Sequence, residues 1–180
     1  YSVRKSAIFI FGSICEDTPK LLQRALNAIL KNYKGRNRKK KVPVYIQSEG
    51  GLFYSAVKAH EILSVCKKAK ICTIAVGHAD SSAMIILQAG DRRFAFRDAT
   101  LGIHRTKMAL PDEADAALLL SLWADCMDKD AAFKLILMER GDPPEKIKKF
   151  FEKGTSLTAQ EAKELNLIDK ILDPKICKSS

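Results

Sequence analysis

Ala75-Val-Gly-His-Ala-Asp-Ser-Ser-Ala-Met84 is the stretch on which the reading of this chain turns. It opens inside the apolar run Ile71 to Val76, which reads as a strand, and closes inside Ala83 to Ala89, which reads as a helix. Two hydroxyls, Ser81 and Ser82, therefore stand at a strand-to-helix junction. Such a junction can expose a serine beside backbone N–H groups, the geometry that nucleophilic attack on a carbonyl requires. A serine there is also a good helix N-cap. Read locally, Ser81 is either a cap or a nucleophile, and Ser82 is the alternative hydroxyl.

Outward from this stretch, strand runs alternate with amphipathic helices. Ala7 to Phe11 reads as a short strand ended by Gly12, and Thr18-Pro19 as an N-cap with proline at the first helical position. Leu22, Ala25, Leu26 and Ile29 recur at helical spacing after it. Val42 to Ile46 is a second strand, Ser48-Glu-Gly-Gly51 a turn, and residues 53–68 a helix with Val57, His60, Ile62 and Leu63 toward one side. This order of strand and helix predicts an α/β fold with a parallel sheet and right-handed crossovers. Phe94 to Phe96 and Thr100 to Ile103 read as two further strands. A long helix is expected from Pro111-Asp112 to about Arg140. Its apolar residues cover more than one side, which predicts burial against more than one surface, including another subunit. Gly141-Asp-Pro-Pro144 breaks it, a short helix reaches Phe151, Ser156-Leu-Thr-Ala starts another, and Ile168 to Leu172 ends as a strand.

Composition narrows the class. At 180 residues the chain is expected to form one domain, residues 1–180, with a substantial core. Apolar residues at 47% and charged residues at 29% fit a soluble globular protein. No apolar run approaches the roughly 20 residues that span a membrane, and no signal sequence opens the chain. The five cysteines (Cys15, Cys66, Cys72, Cys126 and Cys177) are odd in number and without a C-x-x-C pair, so they read as reduced thiols of a cytoplasmic protein. The net charge of +10 is concentrated in Lys34-Gly-Arg-Asn-Arg-Lys-Lys-Lys41. With no aromatic interleaving beyond Tyr33, this run reads as a solvated loop rather than a nucleic-acid site. No set of histidines, cysteines and carboxylates has metal-ligand spacing, so neither metal nor other cofactor is expected.

Three loops carry the chemistry: Ile46-Gln-Ser-Glu-Gly-Gly51 after one strand, Gly77 to Met84 after the next, and Gly102-Ile-His104 ending a later one. In a parallel sheet the carboxyl ends of strands share one edge, so these loops can meet there. In this order they resemble the proteolytic subunits of Clp proteases, within the ClpP/crotonase-like fold of repeated ββα and βαβ units. The similarity runs from about Ala7 to Leu172. Ile8-Phe-Ile-Phe-Gly12 matches the family's opening strand, and Tyr45-Ile-Gln-Ser-Glu-Gly-Gly51 its Y-I-N-S-P-G-G. Gly77 to Gly90 matches G-x-A-A-S-M-G-A-x-L-L-x-A-G without a gap, Ile103-His104 its I-H, and Ser156 to Ala162 with Leu167-Ile-Asp169 its closing motifs.

The resemblance implies a serine endopeptidase that cuts unfolded polypeptides inside a ring. Ser81 would be the nucleophile, His104 the base, and the backbone N–H groups of Gly50 and Ser82 the oxyanion hole. Gly51, Leu52, Arg105 and Thr106 would bind an extended peptide as an added strand. A long handle helix, about residues 105–140, would join heptameric rings that can stack as a tetradecamer. An AAA+ ATPase unfoldase or an active paralogue is the implied partner.

Departures from the pattern are equally specific. The family's triad aspartate falls on Gly154, and loss of such an acid costs about 10⁴ in turnover in another serine protease. Neither Glu152 nor Asp98 sits at the matching position; a water or a backbone carbonyl is the remaining way to orient His104. Asp80 stands where the family has alanine and, since neighbouring side chains diverge, is not expected to act in catalysis. The segment after His104 is shorter than the family's, and little precedes the first strand. Two other functions follow from these residues. One is a catalytically degenerate subunit that builds or regulates a ring. The other is a crotonase-type acyl-CoA enzyme, in which Glu49 or Asp80 would be the base.

Overall fold

The computed structural model describes residues 3–4, 7–31, 33, 39–107, 113 and 115–173. At its centre lie parallel strands β2 (Ala7–Phe11), β3 (Lys40–Ser48), β4 (Ala69–Asp80), β5 (Arg92–Phe96) and β8 (Lys170–Leu172), in that spatial order. A two-residue β1 (Val3–Arg4) adds antiparallel to β2. Alternation builds the two faces. Ile8 and Ile10 of β2 and Val42, Val44 and Ile46 of β3 are fully buried on one face. On the other, Phe9 stacks on Tyr45 at 5.1 Å, and Phe11 meets Phe9 edge-on.

Helices α1 (Thr18–Lys31), α2 (Phe53–Ser64) and α3 (Ser82–Gln88) cover the buried face. In α1 the residues chosen by spacing, Leu22, Ala25, Leu26 and Ile29, are buried, together with Thr18 and Pro19 of the first turn. Helix α2 ends at Ser64 rather than 68, because the Val65 N–H turns back onto the Glu61 and Leu63 carbonyls. Every residue of α3 is buried, which makes it the central helix of the core.

Two differences from the sequence expectation position the site. Strand β4 does not stop at Val76 but continues through Asp80, twelve residues in all. Its first half pairs with β5 at Cys72 to Ala75, and its last residues, His78 to Asp80, pair with β6 (Thr100–Ile103). One strand thus holds two successive neighbours along a single edge, and the second carries His104 to the end of β4. The other difference is β7 (Thr155–Thr158), read from sequence as the start of a helix. It pairs antiparallel with β6, with Thr155 opposite Ile103. Helix α6 (Ala159–Glu164) begins only after Thr158, which forms a reciprocal capping box with Glu161.

Helix α4 (Ala116–Met138) is capped by the Asp115 carboxylate, which accepts from Leu118 N–H at 2.7 Å. The expected first turn at Pro111-Asp112 lies outside the described residues, as do residues 34–38 of the basic run and Cys177. The C-terminal half of α4 packs through Phe133 and Leu137, with Phe133 edge-on to Phe151 of α5 (Pro144–Lys153) at 5.4 Å. The N-terminal half leaves Leu120 67% and Trp123 61% exposed. The broad apolar coverage read from the sequence is thus left uncovered on this half of the helix.

A polar staple closes the sheet. Arg93 on β5 pairs with Asp169 at 2.9 Å and also donates to Gln88 Oε1 at 2.8 Å. The Asp169 carboxylate accepts the Arg93 backbone N–H at 2.7 Å as well. Burial pushes the Asp169 carboxyl up, but the Arg93 hydrogen bonds outweigh it and hold the group below the ordinary carboxylate range. Among the described residues no helix is long and apolar enough to cross a membrane.

Candidate active site

The site grows from the end of β4. Ser81 follows Asp80 with φ 54° and ψ −127°, a left-handed backbone that L-residues rarely adopt. Such a conformation costs about 1–3 kcal/mol and persists only where its surroundings over-determine it. Here the Ser81 N–H donates to the Gly102 carbonyl at 2.8 Å, extending the β4–β6 ladder one residue past the strand. Its own carbonyl accepts from Met84 N–H at 2.9 Å, which starts the turn into α3.

The hydroxyls now separate. Ser81 occupies the cap position of α3, yet its side chain makes no capping hydrogen bond. Ser82 is 3% exposed and donates its Oγ to the Gly51 carbonyl at 3.1 Å. One hydroxyl is therefore structural, and the other is held out of regular structure without a partner among the described residues.

The Gly50-Gly51 loop lies directly against this elbow. A Cβ on Gly50 would sit 2.8 Å from both Ser81 Cβ and the Asp80 carbonyl oxygen, at φ +99°. On Gly51, at φ +142°, it would strike the backbone of Ile14, with the nitrogen only 2.8 Å away. Glycine is required at both positions for space and for conformation. The loop's amides differ in commitment. Gly50 is buried, and its N–H, expected in the oxyanion hole, donates to Ser48 Oγ at 3.0 Å. Gly51 is exposed, and its N–H has no acceptor among the described residues. Beside them, Ser13 donates to the Glu49 carboxylate; that bond holds the Glu49 carboxyl below its ordinary value.

His104 stands one residue past β6. Its Nδ1 lies 2.6 Å from the carbonyl oxygen of Arg105. A carbonyl only accepts, so the proton sits on Nδ1 and Nε2 carries the lone pair, the tautomer a general base needs. No hydrogen bond joins His104 to Ser81. Gly154 lies near His104: a Cβ placed on it would be 3.5 Å from His104 Cβ. It also closes α5 in the left-handed conformation, with its N–H on the Phe150 and Phe151 carbonyls. Glu152 and Asp98 are both exposed, and neither lines the space around His104.

That space is a cleft of about 460 Å³ lined by Asp80, His104, Lys107, Lys153, Gly154 and Thr155, among others. Asp80 is the residue that sequence reasoning set aside. Its side chain diverges from Ser81, as neighbours do, but divergence from Ser81 does not separate it from His104. Asp80 pairs with Gly102 across β4 and β6, and His104 follows Gly102 by two residues on the same pleat. The carboxylate lies over Gly102, where a Cβ would come 2.9 Å from Asp80 Cγ. The pairing of a carboxylate with a facing glycine two residues before the histidine was the available signal; it needed the register of β4 against β6.

Of the expected peptide-binding residues, Leu52 and Arg105 are exposed. Leu52 N–H is bonded to the Ile14 carbonyl at 2.8 Å, and Thr106 N–H to Asp130 Oδ1 on α4 at 2.6 Å. Among the described residues no group of three or more histidine, cysteine and carboxylate side chains could hold a metal ion.

A mixed sheet whose central strands are parallel, an elbow at the end of β4 and a projecting α4 define an α/β protein of the ClpP/crotonase-like fold. A ClpP1 mutant from Listeria monocytogenes has the same fold, with a TM-score of 0.78 over 95% of this chain and 93% of that one, at 17% identity. The chain matches the Clp protease family over residues 2–175 and belongs to it.

Proposed function

We propose that this chain is a serine endopeptidase subunit acting on unfolded polypeptides, with Ser81 as nucleophile and His104 as general base. The observation that carries the reading is Ser81 itself: a serine held at φ 54° against the close-packed Gly50, with its hydroxyl unbonded among the described residues. Strain of this kind at a strand-to-helix turn aims Oγ out of the sheet edge, and a serine used only for capping would have no need of it.

In the reaction, His104 Nε2 takes the Ser81 proton as Oγ attacks the substrate carbonyl. The charge that forms on the carbonyl oxygen is received by backbone N–H groups, Ser82 from α3 and Gly51 from the loop. Gly51 is preferred to Gly50 because the Gly50 N–H already serves Ser48 Oγ. Each such donor is worth roughly 3–4 kcal/mol in comparable hydrolases. The proton on Nε2 then passes to the leaving amine, and water resolves the acyl-enzyme with His104 again as base. Before the first step the imidazole must turn toward Ser81, since the two are not bonded here. The exposed apolar residues of α4 support self-association into rings, in which the cut would be sequestered.

Gly154 and the unformed Ser81–His104 bond favour a second reading, a degenerate subunit that completes a ring with an active partner. Labelling of the purified oligomer with a fluorophosphonate separates the two. The peptidase reading expects one adduct, on Ser81, and none in Ser81→Ala. An assembled protein without an adduct would leave the degenerate reading standing.

A further inference from the structure

We propose that Asp80 supplies the carboxylate that Gly154 lacks, and that it acts as the positioning residue for His104. The inference rests on the peptidase reading for its catalytic meaning, but its geometry stands by itself. Asp80 Oδ1 is fully buried and has no hydrogen-bond partner among the described residues. A buried carboxylate oxygen without a partner is costly, and each such group calls for a reason. Asp80 and His104 line the same cleft, and Gly154 lines it too. Where the family places its acid, this chain has a glycine and an open space; one residue before Ser81, where the family has alanine, it has an acid.

Chemistry completes the argument. His104 Nδ1–H currently donates to the neutral Arg105 carbonyl. That bond sets the tautomer but contributes little toward the positive charge that appears when Nε2 takes the Ser81 proton. An ionised carboxylate in the cleft does both. Rotation of the ring toward Ser81 exchanges the Arg105 carbonyl for Asp80 as the Nδ1–H acceptor. No proton moves to Asp80; it remains ionised while the proton from Ser81 travels through Nε2 to the leaving group. The other charged groups facing the cleft are Lys107, after β6, and Lys153, at the end of α5. Gly102 has its own part in this, since any side chain there would displace the carboxylate.

The test uses the assembled protein and four forms: wild type, Asp80→Asn, Gly154→Asp, and the two substitutions together. Asp80→Asn is expected to lower kcat for an unstructured peptide roughly 10²-fold with KM unchanged. Gly154→Asp in the same chain is expected to restore most of it, because it returns a carboxylate to the ring from the other wall. A merely structural Asp80 would instead leave Gly154→Asp raising turnover by the same factor with aspartate or asparagine at position 80. A second measurement does not depend on turnover: the rate at which diethyl pyrocarbonate modifies His104 at pH 8, read by peptide mass spectrometry against His60 and His78. Modification draws on the fraction of rings turned from the Arg105 carbonyl to Asp80, where a carboxylate on Nδ1–H makes Nε2 more nucleophilic, so Asp80→Asn should slow His104 severalfold and leave the other two unchanged. Equal His104 rates in wild type and Asp80→Asn overturn the assignment, whatever the peptidase activity. Absence of a Ser81 adduct in wild type overturns the peptidase reading alone.

Discussion

Gly154 faces His104 with space between them: a Cβ on the glycine would meet His104 Cβ at 3.5 Å, an ordinary contact. The same residue closes α5 at φ +69°, and this second duty explains why glycine is stable there. Aspartate is among the few other residues that tolerate the left-handed region. Gly154→Asp should therefore fold, at a cost of about 1 kcal/mol, visible as a small drop in Tm. It should raise peptide turnover by up to about tenfold, since Asp80 already fills part of the role. Gly154→Ala should carry a similar stability cost with no gain in turnover.

Gly50 against Ser81 has the opposite character, because there is no room. Gly50→Ala would force a methyl to within 2.8 Å of Ser81 Cβ and of the Asp80 carbonyl oxygen at φ +99°. We expect a loss of about 2–3 kcal/mol in urea unfolding and abolition of Ser81 labelling. A Gly50→Ala protein that labels at the wild-type rate would show that the elbow does not depend on this loop.

Asp169 sets an acid limit on the fold. Its carboxyl is raised by burial and lowered further by the Arg93 hydrogen bonds, with a net value below that of the unfolded chain. A depressed folded value means that the stabilisation is complete above the unfolded pKa of about 3.9 and is lost as pH falls through the folded one. Asp169→Asn leaves Arg93, 4% exposed at its side chain, without its ion-pair partner. It should cost about 3 kcal/mol at pH 7. The difference between the two proteins should shrink as the pH is lowered below that range, measured by denaturant unfolding.

The capping box at α6 is a smaller and cleaner case. Thr158 Oγ1 accepts from Glu161 N–H at 3.2 Å, while the Glu161 carboxylate accepts from Thr158 N–H at 2.8 Å. Thr158→Ala should cost about 1 kcal/mol by thermal unfolding and leave assembly intact.

Assembly should fail at the handle instead. Leu120 and Trp123 project from the half of α4 that does not pack on the core. Leu120→Asp with Trp123→Ala should leave the Tm of the single chain nearly unchanged and reduce the sedimentation coefficient to that of a smaller species.

The Clp-type architecture was legible because its signals are local: apolar runs of strand length, a 3.6-residue spacing in α1, and short loops whose glycines stand at fixed distances from Ser81 and His104. The order of those loops along the chain was enough to point to the family to which the chain belongs. What the sequence left open depends on register and on commitment of hydrogen bonds. Strand β4 runs to Asp80 because β6 returns to pair with its end, a long-range pairing that no window of residues contains. Gly50 and Gly51 are adjacent in sequence, and only the Ser48 hydroxyl shows which amide is engaged. The ungapped match from Gly77 to Gly90 selects Ser81 over Ser82, but only the structure shows that the Ser82 hydroxyl is bonded to the Gly51 carbonyl. Asp80 is the clearest instance. Along the chain it points away from Ser81, and only the pairing of β4 with β6 brings it to the cleft of His104. Sequence alone determined the family, through the short-range spacing of strands, helices and glycines; the tertiary structure decided which polar groups are bonded and brought Asp80 into the cleft of His104, because a buried polar group is defined by its partner.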